Sequence, residues 1–284
     1  MRTPTRTPTR TSTRTSVSAR RGARRAANSS AAGTAARWGL VAYGVVHLLI
    51  GLLALRVALG DPERQADSGG ALRELARQPF GQALVWAVGV GLAALALWRL
   101  SEAFLGAARP GGRRPKERLR SAARSAVLAV LSASAITLAV GSGSGGSTDE
   151  RSRDLTARVL DLPAGRWLVG AAGLAVIGVG VWSGVRALRH AYREELGPVS
   201  ARVRRVVDVL GVTGGVSRGL VFAVAGGFVV QAAVRYDPDE AKGLDDSLRA
   251  LASTPAGPWL LAAVAVGLAL YGLLLFALAH RHRG

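Results

Sequence analysis

YGVVHLLIG at residues 43–51 occurs in two further versions, RSAVLAVLS at 124–132 and RGLVFAVAG at 218–226. Each version has small residues at its second and ninth positions, which are Gly44 and Gly51, Ser125 and Ser132, and Gly219 and Gly226. A spacing of seven residues puts both on one face of a helix, about two turns apart. Because small residues let helices approach closely in lipid, we expect these to be helix-packing faces. A ligand groove is the alternative.

A Pro-x-Gly signal follows each of these stretches. The three copies are Pro79-Phe80-Gly81, Pro163-Ala164-Gly165 and Pro255-Ala256-Gly257. Proline disfavours helix in the residue before it and fits the first turn of a new helix. Each signal therefore predicts a break between a short surface helix and a second long helix. Twelve residues after each proline stand Gly91, Ala175 and Gly267, which we expect to pack against neighbouring helices.

Six apolar stretches account for most of the chain. They lie near 39–58, 82–98, 125–141, 167–185, 219–234 and 259–279. Each is close to the length of about 20 residues that crosses a bilayer as a helix. The sequence predicts an all-α polytopic membrane protein with six transmembrane helices, arranged as three tandem parallel two-helix repeats with short interfacial helices on the outer side. The repeats close around a pseudo-threefold axis, or they form an open row.

The chain divides into a tail and three repeats. Residues 1–36 are an Arg/Thr/Pro/Ser-rich basic tail, which we expect to be disordered because it cannot bury enough apolar surface to offset its conformational entropy. The repeats then occupy 37–108, 109–195 and 196–284, each with two transmembrane helices.

Charge alternates between the connecting segments. Segments 1–37, 99–124, 186–218 and 280–284 hold 26 basic and 5 acidic residues, whereas 56–81, 142–166 and 235–258 hold 11 and 13. Positive residues accumulate in short cytoplasmic loops, so both termini are expected to be cytoplasmic and the protein to lie in the plasma membrane. The net charge of +19 then indicates contact with anionic lipid headgroups rather than with nucleic acid.

All six tryptophans fall at predicted membrane boundaries. Indole rings prefer the headgroup level, so we expect these residues to be interfacial anchors. They are Trp38, Trp98 and Trp182 on the inner side and Trp86, Trp167 and Trp259 on the outer side.

Four polar residues within the predicted spans are candidate sites, because polar groups are costly in a membrane. His47 lies in the middle of the first span and is either a neutral histidine hydrogen-bonded between helices or a proton relay. Arg56, Thr137 and Gln231 occupy equivalent positions near the outer ends of the first helices. In a closed bundle these three would form a polar ring at one mouth; ordinary snorkelling to the interface is the alternative.

No catalytic or metal-binding motif is present in the sequence. The absence of cysteine excludes thiolate catalysis and cysteine-ligated metals, and HExxH, GxSxG, P-loop and dinucleotide signatures are missing. The acidic loops lack the ligand spacing of an EF-hand. We therefore expect no enzyme activity, no cofactor and no bound metal. A membrane enzyme would need acid and base groups meeting at the outer face, for instance Asp61 with Asp237.

The three copies, the paired small residues of the first helix and the Pro-x-Gly start of the second resemble a bacterial membrane family catalogued as domain of unknown function 1206, most common in actinobacteria. The resemblance covers about 37–280. The middle copy departs most, with Ser125 and Ser132 in place of glycines and a Gly/Ser-rich loop at 141–148. The resemblance implies a six-helix inner-membrane protein and no established activity.

These features lead to two functional hypotheses. The first is a non-enzymatic membrane scaffold or envelope-associated protein, acting through helix packing and contact with lipid, a second copy or another membrane protein. The alternative is a small-solute or proton-coupled transporter or channel, built around the pseudo-threefold axis. It requires Arg56, Thr137, Gln231 and His47 to line one cavity.

Overall fold

The computed structural model describes residues 30–61, 65–105, 115–141, 148–193, 200–252 and 256–281. Within them the chain forms helices and no strand. The long helices are α1 (Ser30–Ala58), α3 (Gly81–Leu105), α4 (Pro115–Val140), α6 (Gly165–Leu188), α7 (Ala201–Arg235) and α9 (Gly257–Arg281). The short helices are α2 (Ser68–Ala76), α5 (Thr148–Leu160) and α8 (Leu244–Ala252), and a 3₁₀ turn spans Pro238–Glu240.

The six long helices are each long and apolar enough to cross a membrane. A helix satisfies every backbone polar group internally, which the hydrocarbon core requires of any spanning segment. The predicted all-α polytopic fold with six spans is confirmed. Helix α7 has 35 residues. It is therefore about 52 Å long, longer than the roughly 30 Å of hydrocarbon it must cross.

The predicted tail is shorter than expected. Its residues 1–29 lie outside the described part of the chain, but 30–36 already belong to α1. The prediction of disorder over 30–36 is therefore wrong. Alanine is the strongest helix former, and the segment contains Ala31, Ala32, Ala35 and Ala36, which extend the helix toward the N-terminus.

The most extensive helix contacts join successive repeats. The second long helix of each repeat packs against the first long helix of the next, as α3 with α4, α6 with α7, and α9 with α1. The contact of α9 with α1 returns from the third repeat to the first, which gives the cyclic order of a pseudo-threefold bundle. Contacts within a repeat are smaller and join α1 with α3 and α7 with α9.

The ring is open on one side. In the described residues α4 and α6, the two long helices of the middle repeat, share no packed interface. The helices therefore follow one another in space as α4, α3, α1, α9, α7 and α6. The arrangement combines both expectations, since the order is that of a closed ring while one of its six contacts is not made.

The short helices lie together at one end of the bundle, which we call the surface-helix end. The opposite end, where Arg99, Arg118, Arg186 and Arg204 lie, is the arginine-rich end. Each short helix contacts the first long helix of the following repeat, as α2 with α4, α5 with α7, and α8 with α1. Helix α8 also contacts α5. These contacts add a second layer of connections between repeats.

The predicted Pro-x-Gly breaks separate the short helices from the long ones. The middle residues Phe80 and Ala164 adopt left-handed backbone, with φ of 61° and 64°. The glycine is needed because the preceding helix packs against it. A Cβ on Gly81 would lie 2.7 Å from the carbonyl oxygen of Leu75, and one on Gly165 would lie 2.8 Å from that of Leu160. In the third copy Pro255 lies outside the described residues, and Gly257 begins α9.

Candidate functional site

Three equivalent interfaces hold the repeats together, and each uses the paired small residues of a first helix. Between α1 and α9, a Cβ on Gly44 would lie 3.0 Å from the carbonyl oxygen of Gly272, and one on Gly51 would lie 2.8 Å from that of Ala265. Between α7 and α6, a Cβ on Gly226 would lie 2.8 Å from the carbonyl oxygen of Gly173. Added side chains therefore have no room at these positions, because the neighbour is backbone.

The middle repeat closes the same interface with hydrogen bonds. Ser125 Oγ donates to the carbonyl oxygen of Ala96 over 2.8 Å, and Ser132 Oγ donates to that of Gly89 over 2.9 Å. Both serines are buried. The departure of this copy from glycine therefore preserves the close approach and adds two interhelical hydrogen bonds.

The second helices present a matching pair of small residues that the sequence analysis missed. These residues lie ten and seventeen positions after each proline, and so have the same spacing of seven. They are Gly89 and Ala96 on α3, Gly173 and Gly180 on α6, and Ala265 and Gly272 on α9. The signal was present in the sequence, since each repeat carries the spacing twice, once on each helix.

Of the three residues twelve positions after each proline, two pack against a neighbouring helix and one does not. Gly91 and Gly267 face the first helix of their own repeat. A Cβ on Gly91 would lie 3.0 Å from the Cβ of Ala42, and one on Gly267 would lie 3.2 Å from the carbonyl oxygen of Thr213. Ala175 is exposed. The prediction that it packs against a neighbouring helix is wrong within this chain, because α4 is absent from the side of α6 on which the pattern places it.

The predicted polar ring is wrong. Arg56 and Thr137 are exposed, and Gln231 donates from Nε2 to Glu240 over 2.9 Å. The thirteen residues that separate these positions from Tyr43 and its equivalents correspond to a rotation of about 220° around the helix. They therefore lie on another side of their helices from Tyr43, Arg124 and Arg218.

His47 is buried at the contact between α1 and α9. Its Nδ1 lies 3.0 Å from the carbonyl oxygen of Tyr43, and because a carbonyl can only accept, Nδ1 is the donor. Its ring packs edge-on against Tyr43, with centroids 4.3 Å apart, and beside Tyr271 at 5.1 Å. His47 thus belongs to an aromatic contact and does not share a cavity with Arg56, Thr137 and Gln231.

The tryptophans differ in exposure. Trp98 is half-buried, and the guanidinium carbon of Arg99 lies 4.6 Å from its ring centroid. Five others have exposed rings, which suits contact with lipid headgroups but leaves their role as anchors a prediction. They are Trp38, Trp86, Trp167, Trp182 and Trp259.

A basic and aromatic cluster lies toward the arginine-rich end of the spans. Arg218 on α7 reaches Tyr43 on α1 and Tyr271 on α9, with 3.4 Å between a guanidinium nitrogen and each hydroxyl oxygen. Its guanidinium carbon also lies 4.9 Å from the ring centroid of Phe222. Arg218 and Tyr43 are repeat equivalents in the sequence, but only the packing of the helices brings the two side chains together.

An acidic cluster connects the repeats at the surface-helix end. Asp67 caps α2 by accepting from the Gly70 amide over 2.7 Å. Asp245 on α8 accepts from the Ala66 amide over 2.8 Å, which joins the first and third repeats. Asp149 on α5 accepts from the Asp246 amide over 3.3 Å, which joins the second and third. All these carboxylates lie at or near the beginnings of short helices, where acidic residues favour the helix dipole.

The acidic cluster brings several carboxylates close together. Carboxylate oxygens of Asp149, Asp245 and Asp246 lie within 4.8 Å of one another, so these three residues have the geometry to hold a hard cation. Burial, and then the charge of Asp246, raise the pKa of Asp149 to about 6. Arg153 partly balances the cluster by pairing with Asp246 over 2.6 Å. The convergence of these three residues was not predicted from the sequence, because it depends on the approach of α5 to α8.

Comparison with known proteins gives the same threefold division. The profile of the family described as Domain of Unknown Function (DUF1206) matches residues 38–106, 119–190 and 213–282. The chain is also 31% identical over 241 residues to "Uncharacterized protein YxxB" of Bacillus subtilis (strain 168), an alignment covering 84% of this chain and 86% of that protein. No solved structure matches the chain. Three matches covering most of the spans, together with this relative, show that the chain belongs to the DUF1206 family.

Proposed function

We propose that this chain is a non-enzymatic, multi-pass protein of the plasma membrane with both termini in the cytoplasm, and that it acts as a scaffold or envelope-associated protein by contacting lipid and a partner membrane protein. The observation that carries the proposal is the open side of the ring. Helix α6 is the least buried of the six spans. On this helix Ala175 is exposed, whereas its counterparts Gly91 on α3 and Gly267 on α9 contact a neighbouring helix.

A transmembrane helix of a partner is the occupant that the symmetry of the fold favours. In the first and third repeats, the face carrying Gly91 or Gly267 is covered by the first helix of the same repeat. In the middle repeat the equivalent face carries Ala175, which is also small enough for close helix approach. A partner helix seated there would complete the ring.

The remainder of the bundle supports a scaffold rather than a moving transporter. The interfaces between repeats rest on backbone packed against backbone, as at Gly226 and Gly173, and such contacts do not slide without opening the packed surface. The transporter hypothesis required Arg56, Thr137, Gln231 and His47 to line one cavity. It is not supported, because these side chains do not do so.

Crosslinking in native membranes tests this proposal. A photo-reactive amino acid at Ala175 in the full chain is expected to give one discrete adduct, because the position faces the partner helix. The matched control is Val266, which is exposed on α9 and should meet lipid. An adduct of twice the chain mass would identify a second copy as the partner. Failure to form an adduct at Ala175, or the same products from both positions, would contradict the proposal.

A further inference from the structure

Arg218 is an arginine inside the membrane-spanning part of the bundle. It lies 17 residues before Arg235, where α7 ends. At 1.5 Å per residue this distance is about 26 Å, so within the roughly 30 Å of hydrocarbon Arg218 sits a short way in from the arginine-rich border. It is partly buried, and its Nε atom is buried without a hydrogen-bond partner.

Within the described part of the chain, the contacts of Arg218 supply no negative charge. Its terminal nitrogens lie 3.4 Å from the hydroxyl oxygens of Tyr43 and Tyr271, which is long for a hydrogen bond. Its other partners are the faces of the Phe222 and Tyr271 rings, at 4.9 and 5.1 Å. Among the described residues, no carboxylate lies within 4.0 Å of its guanidinium. A charge in this position is costly unless it is paired.

The cluster is rich in hydrogen-bond donors. The guanidinium offers five N–H groups, and each tyrosine hydroxyl can donate its own hydrogen while its oxygen accepts from Arg218. Arg124, the repeat equivalent of Arg218, acts electrostatically on Tyr43 and adds positive potential at the same level. Cationic and hydroxyl donors converge here, and what they lack is an acceptor with negative charge.

Among the repeat-equivalent positions that the structure describes, the cluster occurs once. Position for position, the pair of Tyr43 and Tyr271 at the interface of α1 with α9 is replaced by Arg124 and Leu95 at the second interface and by Arg218 and Val179 at the third. Only the first interface therefore offers two hydroxyl groups to the guanidinium that reaches it from α7. This asymmetry in an otherwise repeated fold indicates a specific site rather than general positive charge.

We propose that Arg218, Tyr43 and Tyr271 form a binding site for one oxyanion, a phosphate or carboxylate group, which enters from the arginine-rich end. The guanidinium makes charge-assisted hydrogen bonds to two oxygens, and the Nε–H finds the acceptor that it lacks. The tyrosine hydroxyls donate to the same group. The oxyanion belongs either to a lipid headgroup of the adjoining leaflet or to a soluble ion. This inference does not depend on the scaffold proposal.

Binding to the purified full chain in a neutral detergent tests the site. Inorganic phosphate is titrated by calorimetry, and retention of phosphatidylglycerol is compared with that of phosphatidylcholine of the same chain length by native mass spectrometry. We expect at least one of the two anionic probes to bind. Binding of phosphatidylglycerol alone assigns the site to lipid, and binding of phosphate alone assigns it to a soluble ion.

The variants separate a built site from general positive charge. R218Q should weaken binding at least about tenfold, since charge-assisted hydrogen bonds are lost. R205Q removes the same charge from an exposed position on the same helix and should bind like the wild type. If R218Q does not fold, the double variant Y43F/Y271F decides the question, with an expected loss of about threefold or more. The proposal is overturned if neither probe binds, or if R218Q and R205Q lose binding equally. If R218Q does not fold, wild-type binding by Y43F/Y271F overturns it.

Discussion

Ser132 donates its hydroxyl hydrogen to the carbonyl oxygen of Gly89 over 2.9 Å, at the position where the other two repeats place a glycine against backbone. The same interface is thus built in two ways. Glycine lets the helices approach until backbone touches backbone, whereas serine keeps a similar approach and adds a polar contact. Both work in lipid, where packing and interhelical hydrogen bonds replace the hydrophobic drive between helices.

Removing this hydroxyl should have a small effect. We expect S132A to lower the free energy of unfolding by about 0.6 to 1 kcal/mol, the usual range for an interhelical hydrogen bond in a membrane. Equilibrium unfolding in mixed detergent measures it. T137V is the control, because Thr137 is exposed and donates only to Ser134 of its own helix. A loss of several kcal/mol in S132A would show that the serine does more than hold this contact.

Adding bulk at the glycine interface should be far more damaging. In G226L the new side chain meets the carbonyl oxygen of Gly173, and overpacking of this kind costs about 1 to 3 kcal/mol or more. The adjacent Gly227 has no described atom within 4 Å of an added Cβ, so G227L should be as stable as the wild type or more stable by up to about 1 kcal/mol, because leucine is the better helix former. Thermal unfolding of both variants gives the comparison. Equal stabilities would contradict the interface.

The left-handed residue of the second break predicts a stabilising change. Ala164 has φ of 64°, a conformation that costs a non-glycine residue about 1 to 2 kcal/mol. A164G should therefore raise stability by about 1 kcal/mol after the entropy cost of glycine is subtracted. A171G, at an exposed position inside α6, should lower stability by a similar amount. Opposite signs for two identical substitutions are the result to look for in thermal unfolding.

Local features of the chain were predictable because their causes are local. The six spans follow from apolar length, and the breaks at Pro79 and Pro163 follow from the restrictions that proline places on its neighbours. The packing faces at Gly44 and Gly219 follow from a spacing of seven residues, which any helix converts into one face. None of these inferences needed to know which helix lies beside which.

Features that depend on the order of helices in space were not predictable. Ala175 fits the packing pattern but is exposed. The contact that is missing lies between α4 and α6, and the residue pattern is the same whether or not that contact forms. Asp149 and Asp245 are far apart in sequence and meet only because α5 and α8 approach each other at one end of the bundle. Arg218 and Tyr43 looked like equivalent residues of separate copies, whereas the fold makes them partners.

The orientation expected from the charge pattern can be tested with introduced thiols. The chain has no cysteine, so a single substitution gives an unambiguous label. Gln78 is exposed at the surface-helix end and Ser200 is exposed at the arginine-rich end. A membrane-impermeant maleimide should label Q78C in intact cells, and S200C only after permeabilisation, because basic segments stay in the cytoplasm. The reverse pattern would mean that the proposed orientation is wrong.

The acidic cluster should make stability depend on pH through Asp149. Its pKa is raised to about 6 by burial and by Asp246, so the folded chain holds this proton more tightly than the unfolded chain does. Stability therefore falls as the pH rises from the ordinary aspartate range to about 6, and this contribution stays constant above it. D149N removes the charge and keeps the oxygen that accepts from the Asp246 amide.

We therefore expect D149N to be more stable than the wild type at pH 7.5, by about 1 kcal/mol or slightly more, because it removes the cost of burying the charge and the repulsion from Asp246, both of which solvent partly screens. The advantage should shrink toward zero near pH 4, where the wild-type carboxyl is also neutral. Thermal unfolding in EDTA measures it without a contribution from bound cations. D154N, an exposed change on the same helix, serves as the control. An advantage that is equal at both pH values would exclude titration of Asp149 as its cause, since only the ionised carboxylate repels Asp246.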